Sequence, residues 1–232
     1  MVCSLSAGEL RSLMAVVEDG PRDDPNQATP WAALDRLCDL VPCDSVDFKE
    51  LDILSEDVVV YQSLQSGMRL LDHEGRCGSG EGFWKLRRDF LPCSYPARTG
   101  DLASVTLWSD FYTLRELRNA PMFADLYARD GRKHSMLLSF PTVPGQTRRM
   151  QLWRADGPDF SERDRLLLQL LRPHLYEVHL DAQRRRNAVP SLSRHEVEDR
   201  TGVRSRRLAV ALVMPDLSAA DPRLPDPGAV TK

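Results

Sequence analysis

The run SMLLSFPTVPGQTRRMQLW, residues 135–153, alternates in its first half: Met136, Leu138 and Phe140 are separated by Leu137 and Ser139. That period of two belongs to a strand with two distinct faces. Pro144-Gly145 supplies a turn, and Met150, Leu152 and Trp153 sit where the chain returns, so the segment predicts an antiparallel hairpin. Directly after it, Ser161-Glu162-Arg163-Asp164 caps a helix that carries Leu167, Leu170, Leu171, Leu175 and Val178. Pro173 lacks an amide hydrogen and its ring clashes with the carbonyl of Gln169, which predicts a kink. A hairpin feeding a long helix points to an α+β domain.

Working back toward the N-terminus, the same class holds. Ser6-Ala7-Gly8-Glu9 has capping-box spacing, and Leu10, Leu13, Met14 and Val17 then form one helical stripe. Gly20–Gln27, with Pro21 and Pro25, reads as a loop. Thr29-Pro30 starts a second helix whose face holds Leu34, Leu37, Cys38 and Val41, and Pro42 ends it. Val46 and Phe48 alternate with Asp47 and Lys49, and Val58-Val59-Val60-Tyr61 is β-branched and aromatic, so both are predicted strands. Ser66–Gly82 is expected to be a mobile loop. Phe83–Leu91 is expected to be helical, and two further helices are expected between Leu102 and Arg129, split at Pro121. The predicted architecture is an antiparallel sheet with helices on one face, of the GAF or PAS kind.

Composition narrows the function. The chain has 232 residues, 42% of them hydrophobic, and a net charge of −3, which suits a globular body with no general attraction for nucleic acid. The charge is uneven: arginines crowd Arg184–Arg207, opposed only by Glu196, Glu198 and Asp199. No apolar run approaches the roughly 20 residues needed to span a bilayer. Glu9 and Arg11 interrupt any signal-like stretch near the start, so a cytoplasmic location is expected. Cys3, Cys38, Cys43, Cys77 and Cys93 are scattered and include no C-x-x-C pair. They read as reduced thiols, with no metal or redox site and no cofactor expected.

Several phrases are more specific than the fold pattern. Trp31–Leu37 (WAALDRL), Leu40–Asp44 (LVPCD), Cys93–Asp101 (CSYPARTGD), Ser109–Tyr112 (SDFY), Gly157–Arg165 (GPDFSERDR) and Leu170–Leu175 (LLRPHL) together resemble the N-terminal sensor half of LuxR-type transcription regulators. The resemblance implies a sensor and dimerisation domain over 5–186, followed by a four-helix DNA-binding module of roughly 60 residues whose third helix enters the major groove. Leu192–Glu198 is similar to the start of that module and Gly202–Ala211 to the approach to its last helix, with only Asp199-Arg200-Thr201 between them. Residues 187–214 therefore read as a remnant of the module, and Pro215–Lys232, with Pro222, Pro225 and Pro227, as a disordered tail. A remnant this short has room for two short helices and too little apolar surface to order a reading helix. Arg204, Arg206 and Arg207 are then expected to touch phosphates weakly and without sequence preference.

The remaining motifs divide into background and candidates. Gly78-Ser79-Gly80-Glu81-Gly82 lacks the spacing and the lysine of a phosphate loop. His73, Glu74 and Cys77 have no second ligand pair for a metal, and Cys77 occupies the first glycine position of any nucleophile elbow around Ser79. No enzyme is expected. A sensor pocket needs apolar walls and a few polar groups, and Trp84, Cys93, Tyr95, Trp108, Phe111, Tyr112 and His134 are the candidates, each with core packing or a structural role as its competing explanation. The expected partners are a small-molecule ligand and a second chain, either a copy or an intact relative, with Val178 and Leu180 as candidate seam residues. A stand-alone small-molecule-binding module with no role at DNA is the alternative.

Overall fold

Central in the molecule is β1 (Ser45–Asp52), paired antiparallel on one side with β2 (Asp57–Gln65) and on the other with β6 (Gln146–Arg154). The structure is a computed structural model describing residues 5–18, 27–72 and 80–188, all within the N-terminal unit Met1–Val189. With β3 (Met68–Asp72), β4 (Thr106–Leu107) and β5 (His134–Phe140) the strands form one six-stranded sheet in the order β3-β2-β1-β6-β5-β4, antiparallel throughout. The predicted hairpin is β5–β6, with Phe140 opposite Arg148. Gly145 in its turn has φ 86°, a left-handed backbone that favours glycine, and a Cβ there would also displace the exposed Leu54 side chain, 2.8 Å away at Cδ1.

The first face of the sheet carries Val46, Phe48, Val60, Leu64, Met136, Leu138, Phe140, Met150 and Leu152. It is covered by α1 (Ala7–Val17), α2 (Trp31–Leu40) and α6 (Glu162–Ala188). Each such large side chain removed from water contributes about 1.5–3 kcal/mol. The capping box at Ser6 and Glu9 is present, and Ser161 and Asp164 cap α6 reciprocally. In α1 the buried residues are Leu13 and Val16, while Leu10 and Met14 of the expected stripe are exposed. The second helix starts one residue later than predicted, with Pro30 at the N-cap. Helix α6 runs through Pro173 without interruption and includes Arg184–Arg186. Leu168 is buried on it and Leu170 is exposed, whereas Val178 and Leu180 are half-buried.

Helices also cover the second face, which corrects the one-sided arrangement expected from the sequence. There α3 (Glu81–Leu86), α4 (Leu91–Thr99), a 3-10 turn (Trp108–Asp110), α5 (Leu114–Asn119) and a π-helical turn (Phe123–Tyr127) cover a second cluster built on Leu51, Val58, Tyr61 and Trp153. The helix predicted over Phe83–Leu91 ends at Leu86, with α4 starting at Leu91, and the expected pair split at Pro121 is present as α5 and a helical run from Pro121 through the π-helical turn to Tyr127. Met68–Asp72, expected to be loop, is an edge strand joined to β2 by Ser66-Gly67, whose φ values of 47° and 81° are both positive, as a tight two-residue hairpin requires. The predicted DNA remnant beyond residue 188, the tail, and Arg204, Arg206 and Arg207 lie outside the described residues.

Candidate ligand cleft on the second face

Because β1 lies mid-sheet between two helical layers, neither of its faces meets water. Val46 and Phe48 take the first face, so alternation sends Asp47 and Lys49 to the second. Both are buried. Asp47 Oδ1 accepts a 2.7 Å hydrogen bond from Ser63, and its Oδ2 accepts from Trp153 Nε1 at 2.8 Å and from Arg132 at 3.3 Å. Lys49 Nζ stands 3.9 Å from the same oxygen and 4.8 Å from the centroid of the Tyr61 ring. A buried carboxylate with this many donors repays a desolvation cost of several kcal/mol.

The cations are less well matched. Burial lowers the Lys49 pKa to about 8, with Asp47 opposing the shift and Arg149 and Arg132 adding to it. Arg149 is 5% exposed; it sits against the Cys93 thiol and the Tyr127 phenol, and its Nε has no partner. No carboxylate pairs with it among the described residues. Arg87 stands close enough to feel its charge. Arg132 lies flat over Trp153 at 4.1 Å. Burial raises the Tyr61 pKa to about 12 and holds the Tyr127 phenol well above its ordinary value. Both phenols therefore stay neutral donors.

Above this floor a half-open cleft of about 390 Å³ is lined by Lys49, Tyr61, Phe83, Tyr127, Arg129 and Arg132, with Leu126 on its wall and the exposed Asp125 and Asp130 at its rim. Its size falls in the range of small-molecule sites. None of its charged lining residues was among the sequence candidates. Of the seven that were, Cys93 and Trp108 are buried in the cluster behind the cleft, where Trp108 packs edge-on to Trp153 at 5.2 Å. Trp84 is half-buried, edge-on to Phe83. Tyr112 stacks on Phe90 and its hydroxyl accepts from the Leu91 amide. Tyr95 and Phe111 pack together beside a separate depression of about 310 Å³, and Tyr95 donates to Asp101. His134 opens β5, with Nδ1 3.5 Å from Asp159. A third depression, about 350 Å³, lies against the β5–β6 turn and is lined by Pro96, Leu102, Val143 and Arg148.

The Cys38 and Cys43 thiols meet at 3.7 Å, half-buried at the end of α2. Among the described residues no group of three or more His, Cys, Asp or Glu is placed to hold a metal ion, and no helix is long and apolar enough to cross a membrane. His73, Glu74 and Cys77 lie outside those residues.

No protein-family model matches the chain, and no curated protein does. Among solved structures it is similar to the VqsR LBD domain from Pseudomonas aeruginosa, at 12% identity over 76% of this chain and 95% of that one, TM-score 0.43. It is also similar to the GAF domain of a phosphoenolpyruvate-protein phosphotransferase from Coxiella burnetii, at 15% identity over 76% and 95%, TM-score 0.43. A third similar structure is the GAF domain of a two-component sensor histidine kinase from Bacillus halodurans, at 14% identity over 63% and 88%, TM-score 0.38.

Proposed function

We propose that residues 5–186 form the small-molecule-sensing and dimerisation domain of a LuxR-type transcription-regulator protein that acts in the cytoplasm and no longer reads DNA sequence by itself. The observation that carries the sensing role is the cleft on the second face, whose floor holds several ionisable groups out of water. Burying such groups is costly, and a fold selected for stability alone would place apolar side chains there. The family phrases carry the regulator role, and the three residues between the two module-like segments carry the loss of DNA reading. On this reading the chain binds and does not turn over its ligand: Asp47, the carboxylate in the floor, is already engaged by Ser63, Trp153 and Arg132. It works by pairing with a copy of itself or with an intact relative.

The test has two arms. Ligand-dependent rise in melting temperature supports sensing, since a ligand at about 100 times its Kd adds about 2.7 kcal/mol of stability. A gel shift with the purified chain is expected to show only weak binding that salt abolishes. Tight, sequence-selective binding to a duplex overturns the lost-reading part. Ligand stabilisation with no effect on any promoter, alone or with an intact relative, favours the stand-alone binding module instead.

A further inference from the structure

We propose that the cleft takes a small organic anion, an aromatic or aliphatic body carrying one carboxylate or phosphate, with its charged head against Lys49 and Arg132 and its body on Phe83, Tyr61 and Leu126. The inference rests on the reading of this cleft as the ligand site and names the class of ligand. Its ground is a charge imbalance in the floor. Among the described residues, Lys49, Arg132 and Arg149 gather around one floor carboxylate, Asp47, whose oxygens already take three hydrogen bonds; the other acids nearby are Asp130 on the rim, 4.0 Å from Arg132, and Asp72, buried on β3 opposite Tyr61. Cations that share one carboxylate in a low-dielectric floor are only partly compensated and are stabilised by an incoming anion.

Two further observations point the same way. Arg149, beside Lys49 on the neighbouring strand, is 5% exposed and its Nε finds no acceptor, so a buried donor near the floor stays unmatched. The walls are apolar and aromatic, and the Tyr61 hydroxyl is held as a neutral donor. The acids at the rim do not cancel the field. Asp125 and Asp130 are exposed, where water and salt screen them; Asp130 reaches Arg132 only at the 4.0 Å limit of an ion pair, and Arg129 stands between the two acids in sequence on the same rim. A cleft with a cationic floor and low-dielectric walls focuses its field on the interior, which selects for negative charge.

The probes are 1-naphthoate, 1-naphthyl phosphate and the neutral isostere 1-naphthamide, titrated into the full chain by calorimetry at low and high salt. The acid or the phosphate is expected to bind at least about tenfold tighter than the amide, with the margin shrinking in salt; whichever of the two binds better identifies the head group. Lys49→Met and Arg132→Gln are each expected to lower affinity for the anion about tenfold or more and to leave the amide unchanged. Arg115→Gln, on the exposed side of α5, should change neither. Equal affinity for amide and anion, with both competing at the cleft, overturns the anionic class while leaving the ligand-site reading intact. Failure of all three probes to bind at low-millimolar concentration overturns both. If Arg132→Gln fails to fold, Lys49→Met decides alone, because removing a buried charge favours folding.

Discussion

At the scale of single residues, Lys49 shows how site chemistry and stability pull apart. Its pKa falls from 10.5 unfolded to about 8 folded, mainly through burial. Below pH 8 both states hold the proton, so the folded state bears the whole cost of the buried charge, about 3 kcal/mol for a shift of this size. As pH rises from 8 toward 10.5 the folded state sheds the proton while the unfolded chain keeps it, and the cost is relieved. Lys49→Met is therefore expected to stabilise the chain by about 2–3 kcal/mol at pH 7, with the gain fading to nothing above about pH 10.5. Urea midpoints of both proteins between pH 7 and 10.5 check this. A variant less stable at pH 7 would mean that the Asp47 carboxylate and the Tyr61 ring together outweigh the cost of burying the Lys49 charge. The sequence displayed Asp47 and Lys49 plainly, yet their alternation with Val46 and Phe48 is also the signature of a strand with one wet face. What distinguishes the two cases is the second helical layer, which no local pattern in β1 encodes.

At the scale of elements, the strand–helix junctions are held by side chains that reach the backbone of other segments. Gln62 on β2 is fully buried; its Oε1 accepts from the Ala28 and Thr29 amides at 3.0 and 2.9 Å, and its Nε2 donates to the Thr29 carbonyl at 2.8 Å. His179 of α6 lies 2.9 Å from the Ala28 carbonyl through Nδ1 and stacks on Phe48 at 4.8 Å. Burial pushes its pKa down to about 4, so the ring is neutral at pH 7 and Nδ1–H donates. The start of α2 is thus tied to the sheet and to α6 at once. Gln62→Leu removes three hydrogen bonds and leaves buried backbone groups unpaired, which is expected to cost about 2–4 kcal/mol. Denaturant unfolding reads the loss, and faster amide exchange at Ala28 and Thr29 locates it; a loss under 1 kcal/mol with those amides still protected would mean that other groups satisfy them. Elements announced by capping residues and regular periodicity, such as α1, α2, α6 and the β5–β6 hairpin, were legible in the sequence. Met68–Asp72 was not, because an edge strand with most of its side chains in water has no reason to alternate. Its one signal was Ser66-Gly67, a dipeptide suited to a tight turn. The α3–α5 region was blurred for a related reason: its helices are one to three turns long, too short for a stripe to repeat.

At the scale of the whole molecule, the two helical layers do different work. The first-face layer of α1, α2 and α6 covers the larger apolar cluster together with paired polar groups, Gln62 and the Glu50–Arg148 ion pair among them, while the second layer closes over cations that share the Asp47 carboxylate. The candidates were chosen in the sequence by chemical type, and the structure puts Trp108 and Cys93 in the wall of that second layer, whereas the polar groups of the cleft come from strands β1 and β2, from the π-helical turn and from the turn before β5. Sites assembled from four separated segments leave no compact motif to read. Since every described element of both layers falls before residue 189, the fold and the cleft are expected to be independent of everything after it. A chain ending at Val189 is expected to unfold in a single transition, with a melting temperature within a few degrees of the full chain and unchanged affinity for 1-naphthoate, because a shift of about 1 kcal/mol in a domain this size moves the transition by only a few degrees. Loss of the cooperative transition on truncation would show that the arginine-rich C-terminal region braces the sensor body. The resemblance to a sensor half followed by a separate module would then no longer describe how this chain is built.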